Sequence, residues 1–365
     1  AGLLVKLVSE TAYTGDLGPD DRVHWATDLG WIMGPWLLIG THGLGGTVVL
    51  FDGAPDFPDP GRLWRMVEQH RLTFLGVSPT LIRALRSTGD EHHRSVDLSS
   101  LSEFGSTGEP WNPEPYRWLA DEVGRGRVPI MNISGGTEVG AIFLGAPPYL
   151  AQKACSLGKP ALGMAMDIYG PDGGSLLERP GELGELVCTR PWPSQTRGIF
   201  GDPERYLDAY WRHFPGVWTH GDWATVDRDG EWFLHGRSDD TLNVAGKRIG
   251  PAEYESAVVA DPDVVEACAV GIPHDVKGET AWCLCVLRPG VSPSEELRLR
   301  LRGRCADELG KAFAPSEVRF TRALPKTRSA KIVRRAVRAA LLDEDPGDVS
   351  SLEDASAIDA IRNAT

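Results

Sequence analysis

Apolar and polar positions alternate in two different rhythms over the first third of the chain. Short apolar runs of strand type occur at Val23–Thr27, Thr47–Phe51, Thr73–Val77 and Pro129–Ile133. Between them, apolar residues recur at helical spacing, as in PGRLWRMVEQHR (60–71) and SPTLIRALRS (78–87), with Pro60 and Pro79 at first-turn positions. Leu3, Leu4, Leu7 and Val8 also carry helical spacing, so the sequence opens at or inside an element. Strands alternating with helices predict an α/β layer with largely parallel strands over residues 1–157.

The texture then changes. From 158 to 238, the turn signals PDGG, RPGELGE and DRDGE separate short strands such as ELVCT and EWFLHG, which predicts a small antiparallel sheet or barrel. A third texture covers 239–345: a helix in PAEYESAVVADP, strands in VVEACAVGI, WCLCVLRP and EVRFTRALP, and helices in SEELRLRLRGRCADELG and KIVRRAVRAALLDE. That is a compact α+β unit. Residues 346–365 are acidic and polar and read as a partly ordered tail.

Composition narrows the function. A net charge of -13 argues against nucleic acid or an anionic membrane as the main partner, and no apolar run is long enough to cross a bilayer. The six cysteines show no CxxC pair and no metal spacing, which suits a reduced, cytoplasmic setting. Cys283 and Cys285 alternate on a probable strand and read as buried thiols on one face.

Five segments carry candidate chemistry. NISGGTEVG (132–140) follows a strand at the carboxyl end where open α/β sheets bind ligands; its glycines admit close approach, and Thr137 and Glu138 suit a phosphate and its Mg²⁺. Taken alone, a strand-to-helix turn with a Thr cap and an acidic first turn explains it better. WTHGDW (218–223) offers Asp222 to a pair of ribose hydroxyls, or is an ordinary turn aspartate beside a structural His220. PKTRSAKIVRR (325–335) gathers five cations at a helix start, where they oppose the helix dipole, so an anionic ligand or a solvated basic face is needed to explain them. TGEPWNPEPYRW (107–118) reads as a turn and a Pro-initiated helix, and residues 236–258 mix both charge signs, glycine and a helix start. GLGGT (43–47) precedes a strand rather than opening a helix, so it is not a phosphate loop, and no GxSxG, HExxH or Walker A run is present.

Together and in order, these segments closely resemble the acyl-adenylate-forming enzymes, within them the acetyl-CoA synthetase type of acyl-CoA ligase. The matching runs are WATDLGWI, GEPWNP, GGTE, HGDW, GRSDDTLNVAGKRI, GIPHDVKGE and PKTRSAKIVRR, reaching to about Leu342. The resemblance implies a large AMP-binding domain (1–238) and a mobile C-terminal domain (239–345). It implies ATP-dependent activation of a carboxylate, with Mg²⁺, followed by transfer to CoA. By the same resemblance, Gly108, Glu109, Pro110 and Asn132 flank the adenine, Thr137 holds the α-phosphate, Glu138 the Mg²⁺, Asp222 and Arg237 the ribose, and Arg248 the phosphate. Lys331 bridges the attacking carboxylate and the α-phosphate, Asp239 is the hinge between domains, and Gly246 lines the CoA approach. Ile32, Met33, Thr107 and Gly135 wall the acyl pocket.

Three departures from the family pattern carry expectations. The Ser/Thr/Gly-rich phosphate loop is absent and is expected upstream of Ala1, with roughly the front two-fifths of a usual member. Ala330 stands where the family usually has Gly before the catalytic lysine. Gly135 stands where acetyl-specific members have a Trp, which predicts an acyl group larger than acetyl. Two other readings remain: loading of a carrier-protein thiol instead of CoA, and a truncated relic that only binds nucleotide or a partner protein.

Overall fold

Parallel pairing begins with the first apolar run and continues for five strands. In the computed structural model, β1 (Arg22–Trp25), β2 (Thr47–Val48), β3 (Phe74–Val77), β4 (Glu103–Ser106), β5 (Ile130–Gly136), β6 (Ala141–Gly145) and β7 (Lys159–Pro160) form one sheet in the order β2-β1-β3-β4-β5-β6-β7. Pairing is parallel as far as β5 and antiparallel from β5 to β7. The structure describes every residue except 239, 245–246, 275–277 and 328–330, and only the backbone of Asn243, Lys247 and Arg248.

Both faces of this sheet are covered, which is why its strands read as unbroken apolar runs. Phe74 and Leu75 are neighbours on β3 and point to opposite faces. Phe74 packs with Leu7, Trp25, Trp36 and Leu37. Leu75 packs with Leu63, Trp64 and Val67 of the helix Arg62–His70 and Ile82 and Leu85 of the helix Pro79–Ser87. Ser78 caps the latter helix by accepting from Leu81 N, with Pro79 in the first turn. Pro60 lies just outside its helix, whose N-cap is Gly61.

A second sheet contains β8 (Met166–Tyr169), β9 (Gly184–Cys188), β10 (Trp218–Val226) and β11 (Trp232–Arg237), in the order β11-β10-β9-β8. It is a four-stranded sheet rather than a closed barrel. The chain divides into two contact-dense units, Ala1–Leu234 and His235–Thr365.

The second unit has its own five strands: β12 (Leu242–Val244), β13 (Lys247–Ile249), β14 (Val264–His274), β15 (Gly278–Leu287) and β16 (Glu317–Phe320). Cys283 and Cys285 of β15 face the helices Pro251–Val259 and Glu295–Leu309. Leu284 between them faces the helices Arg334–Leu342 and Ser356–Arg362. All six cysteines are free thiols.

The terminal stretch 346–365 corrects the expectation of a partly ordered tail. Leu352, Ile358 and Ile361 are buried against Cys268, Val270 and Leu324, and the last residue, Thr365, exchanges backbone hydrogen bonds with Phe320. Its acidic composition hid a short apolar stripe, Ala357, Ile358, Ala360 and Ile361, that covers one face of the small sheet.

Candidate functional site

The segment Asn132–Gly140 is not the strand-to-helix turn that one sequence reading gave it. No helix follows β5. Thr137–Gly140 instead turn the chain back into β6, with Gly140 N donating to Gly136 O and Thr137 O. The reason is the apolar run AIFLG that follows, which continues as a strand and buries Phe143 and Leu144. Thr137 is exposed at the tip and Glu138 is half-buried beside it.

The β5–β6 hairpin is bulged. Ser134 pairs with Leu144 but Gly135 pairs with Ile142, so Phe143 is an extra residue on β6. A second irregularity lies on β10: four steps from Thr219 to Trp223 oppose two from Val187 to Glu185 on β9. Gly221 supplies the positive φ (81°) this break needs. Asp222 therefore sits on a bulged strand, not in a turn. The two bulges meet: His220 stacks edge-on against Phe143 at 4.8 Å between centroids. Its Nε2 lies 3.3 Å from Gly135 O and 3.7 Å from Asp222 Oδ2. His220 is buried and joins the HGD segment to the glycine turn.

Beside the hairpin lies a small recess of about 40 Å³ lined by Ile32, Met33, Trp36, Thr107, Ile133, Gly135, Ala141 and Ile142. The four expected wall residues Ile32, Met33, Thr107 and Gly135 are thus brought together at the carboxyl ends of parallel strands. Thr107 Oγ1 donates to Ile133 O. Sequence reasoning missed Trp36, Ile133, Ala141 and Ile142; the signal for the last two was the apolar run directly after GGTE.

The 107–110 turn presents less side-chain chemistry than expected. The Glu109 carboxylate is turned inward, accepting from Thr80 N at 2.8 Å, from the Thr80 hydroxyl, and from Arg83 Nη2 at 2.9 Å. Pro110 is half-buried, and Gly108 has φ 111° with open space where a Cβ would be, so backbone is what this turn offers a flat ring. Asn132 is buried and its Nδ2 donates to Cys155 O and Ser156 O.

The remaining expected residues belong to the second unit. Arg237 ends β11 and its carbonyl accepts from Thr241 Oγ1. Arg248 lies on β13, and its side chain is outside the described residues, as are Asp239, Gly246 and Ala330. Lys331 is exposed; Thr327 N donates to Lys331 O, and Lys331 N donates to Thr327 Oγ1. The cation cluster around it has internal partners: Lys326 pairs with Glu266 at 2.8 Å, Arg334 with Glu255 at 2.6 Å, and Arg335 donates to the carbonyls of Pro346 and Asp348. Lys326, Arg334 and Arg335 are therefore accounted for within the unit, and Arg328 lies outside the described residues.

A family model described as AMP-binding enzyme matches residues 3–200, and one described as AMP-binding enzyme C-terminal domain matches 253–331. The chain belongs to the AMP-binding enzyme family. An acetyl-coenzyme A synthetase of Pyrobaculum aerophilum is 39% identical over 350 residues, covering 94% of this chain and 52% of that protein. Acetoacetyl-CoA synthetase from Streptomyces lividans superposes with a TM-score of 0.86 at 34% identity, covering 99% of this chain and 55% of that one. The anthranilate CoA ligase AuaEII, solved in complex with anthranoyl-AMP, gives 0.80 at 25% identity over 93% of this chain and 63% of that one. The chain thus spans about half the length of the curated relatives it matches. Among the described residues, no helix is long and apolar enough to cross a membrane, and no three His, Cys, Asp or Glu cluster to hold a metal. A lone Glu138 suits Mg²⁺, which takes one or two carboxylates and otherwise nucleotide oxygens and water.

Proposed function

We propose that this chain is part of an AMP-forming acyl-CoA synthetase whose carboxylate substrate seats its acyl group in this recess. The observation that carries the reading is the apolar recess beside the Thr137–Glu138 turn, at the strand ends where α/β sheets bind ligands. In the first half-reaction a carboxylate oxygen bonds to the α-phosphorus of ATP as the bond to pyrophosphate breaks. In the second, the CoA thiol loses its proton, its sulfur bonds to the acyl carbon, and AMP leaves.

The residues suit this task. Two anions must be held in line, so the protein positions and screens. The recess takes the acyl group, the Gly108 backbone and Asp222 take the nucleoside, and Thr137 takes the α-phosphate. Glu138 is the residue to hold Mg²⁺, which supplies charge neutralisation on the phosphates. Lys331 is an exposed ammonium on a long stem in the second unit, and it bridges carboxylate and α-phosphate in the first step.

Acid-dependent exchange of pyrophosphate into ATP by the complete protein tests this reading, with acetate, propionate, butyrate and longer acids and free CoA as acceptor. Exchange with any of these acids supports it, the preferred length reports the reach of the recess, and no exchange with any acid overturns the ligase. Lys331→Ala should abolish exchange while thioester formation from supplied acyl-adenylate survives. Undiminished exchange in that variant removes Lys331 from the mechanism.

A further inference from the structure

Behind the recess lies a charged pair that no step above uses. Lys6 and Glu10 sit one turn apart on the helix Gly2–Tyr13 and are 3% and 2% exposed. Lys6 Nζ lies 3.1 Å from Glu10 Oε1 and donates to Leu162 O at 2.7 Å. The same Oε1 accepts from Ile142 N at 2.7 Å, and Glu10 Oε2 is buried with no hydrogen-bond partner. Burying a charged pair is a weak way to stabilise a helix, because desolvation offsets most of the attraction.

Its position suggests another use. Ile142 lines the recess and is the residue on which the β6 bulge closes, facing Gly135. The bulge sets Ala141 O 2.1 Å from where a Gly135 Cβ would be, so β6 backbone, not a missing side chain, forms the wall there. The helix bearing the pair is itself fixed against the opposite wall: a Cβ on Gly40 would lie 2.0 Å from Thr11 Oγ1, and Trp36 of that segment lines the recess. Glu10 thus ties the strand on one side of the recess to the helix that backs the other.

We propose that the buried Lys6–Glu10 pair is a specificity-determining positioning pair, which holds bulged β6 against Gly135 and so fixes how long an acyl group the recess admits. The proposal rests on the acyl-CoA synthetase reading above. Without the Glu10 acceptor, Ile142 N–H has no buried partner and β6 relaxes away from Gly135, deepening the recess.

The test compares kcat/KM for straight-chain acids of graded length in the complete protein carrying Glu10→Ala, Glu10→Asp or Glu10→Gln. Glu10→Ala should raise the ratio of longer to shorter acids by about ten-fold or more, the scale of one methylene in a pocket, and leave the KM for ATP unchanged. Glu10→Gln keeps an acceptor for Ile142 and should restore the wild-type ratio. Glu10→Asp keeps the charge but shortens the reach, and should shift the ratio even where the Ala variant fails to fold. Unchanged ratios in folded Ala and Asp variants, with only a lower melting temperature, overturn the proposal. Calorimetric binding of AMP alkyl esters of graded length reads the recess without turnover. If wild type exchanges no pyrophosphate but its alkyl-ester preference still moves in Glu10→Asp, the pair stands and the ligase reading falls. Esters that bind with no length dependence, or not at all, overturn both.

Discussion

Glu10 pits a hydrogen bond and a cation against burial, and burial wins: desolvation pushes its carboxyl up to about 7 despite Lys6 and the Ile142 N–H. The sign follows from proton counting. Between about 4.5 and about 7 the folded state keeps a proton that the unfolded state has lost, so this group's contribution to stability falls as pH rises through that window. Wild type should lose on the order of 3 kcal/mol relative to Glu10→Gln between pH 4.5 and 8, read as the difference in urea midpoints times the m-value. A difference that stays flat with pH would place the Glu10 pKa near its ordinary value. At this scale the sequence was legible where a residue acts through its type and place, and less so where partners decide. Ile32, Met33, Thr107 and Gly135 could be carried over from the family resemblance and meet at one recess. The inward turn of Glu109 depends on Arg83 and Thr80, 26 and 29 positions away, and no local pattern announces it.

Elements were legible wherever one period ran long enough. The helices Arg62–His70, Pro79–Ser87 and Glu295–Leu309 lie where apolar spacing puts them, and Ser78 and Ser294 cap the last two. Strand β4 was missed because EFGS carries one large apolar residue in four, and its burial comes from neighbours on both sides. The hairpin after GGTE was missed because a Thr-Glu pair is as good a helix start as a turn, and the strand that follows decides. The C-terminal helix was missed because charge dominated a window with only two isoleucines. Those two are buried, so their contribution is testable. Ile361→Ala should cost about 2–4 kcal/mol, while Asp359→Ala on the exposed side of the same helix should stay within about 0.5 kcal/mol. Equal, small effects of both substitutions would return residues 346–365 to the status of a loose tail.

At the scale of the whole molecule, the division into two units decides how stability should be measured. The second unit has two cores, one on each face of a single sheet. One is built on Tyr254, Cys283, Leu301 and Val318, the other on Cys268, Leu284, Val337 and Ile361. Each face is covered by two helices, and the terminal residues close the edge through the Phe320–Thr365 pairing. A unit with its own covered core satisfies the ordinary condition for independent folding. Residues 235–365 expressed alone should therefore unfold cooperatively, with an m-value set by their own size, and the intact chain should show two transitions, one of which coincides with the fragment's. The alternative outcome has a clear physical meaning. A fragment with no transition would mean that Trp232–Leu234, the start of the strand that ends at Arg237, are required to hold the second unit together. The contact boundary at 234/235 would then be no folding boundary.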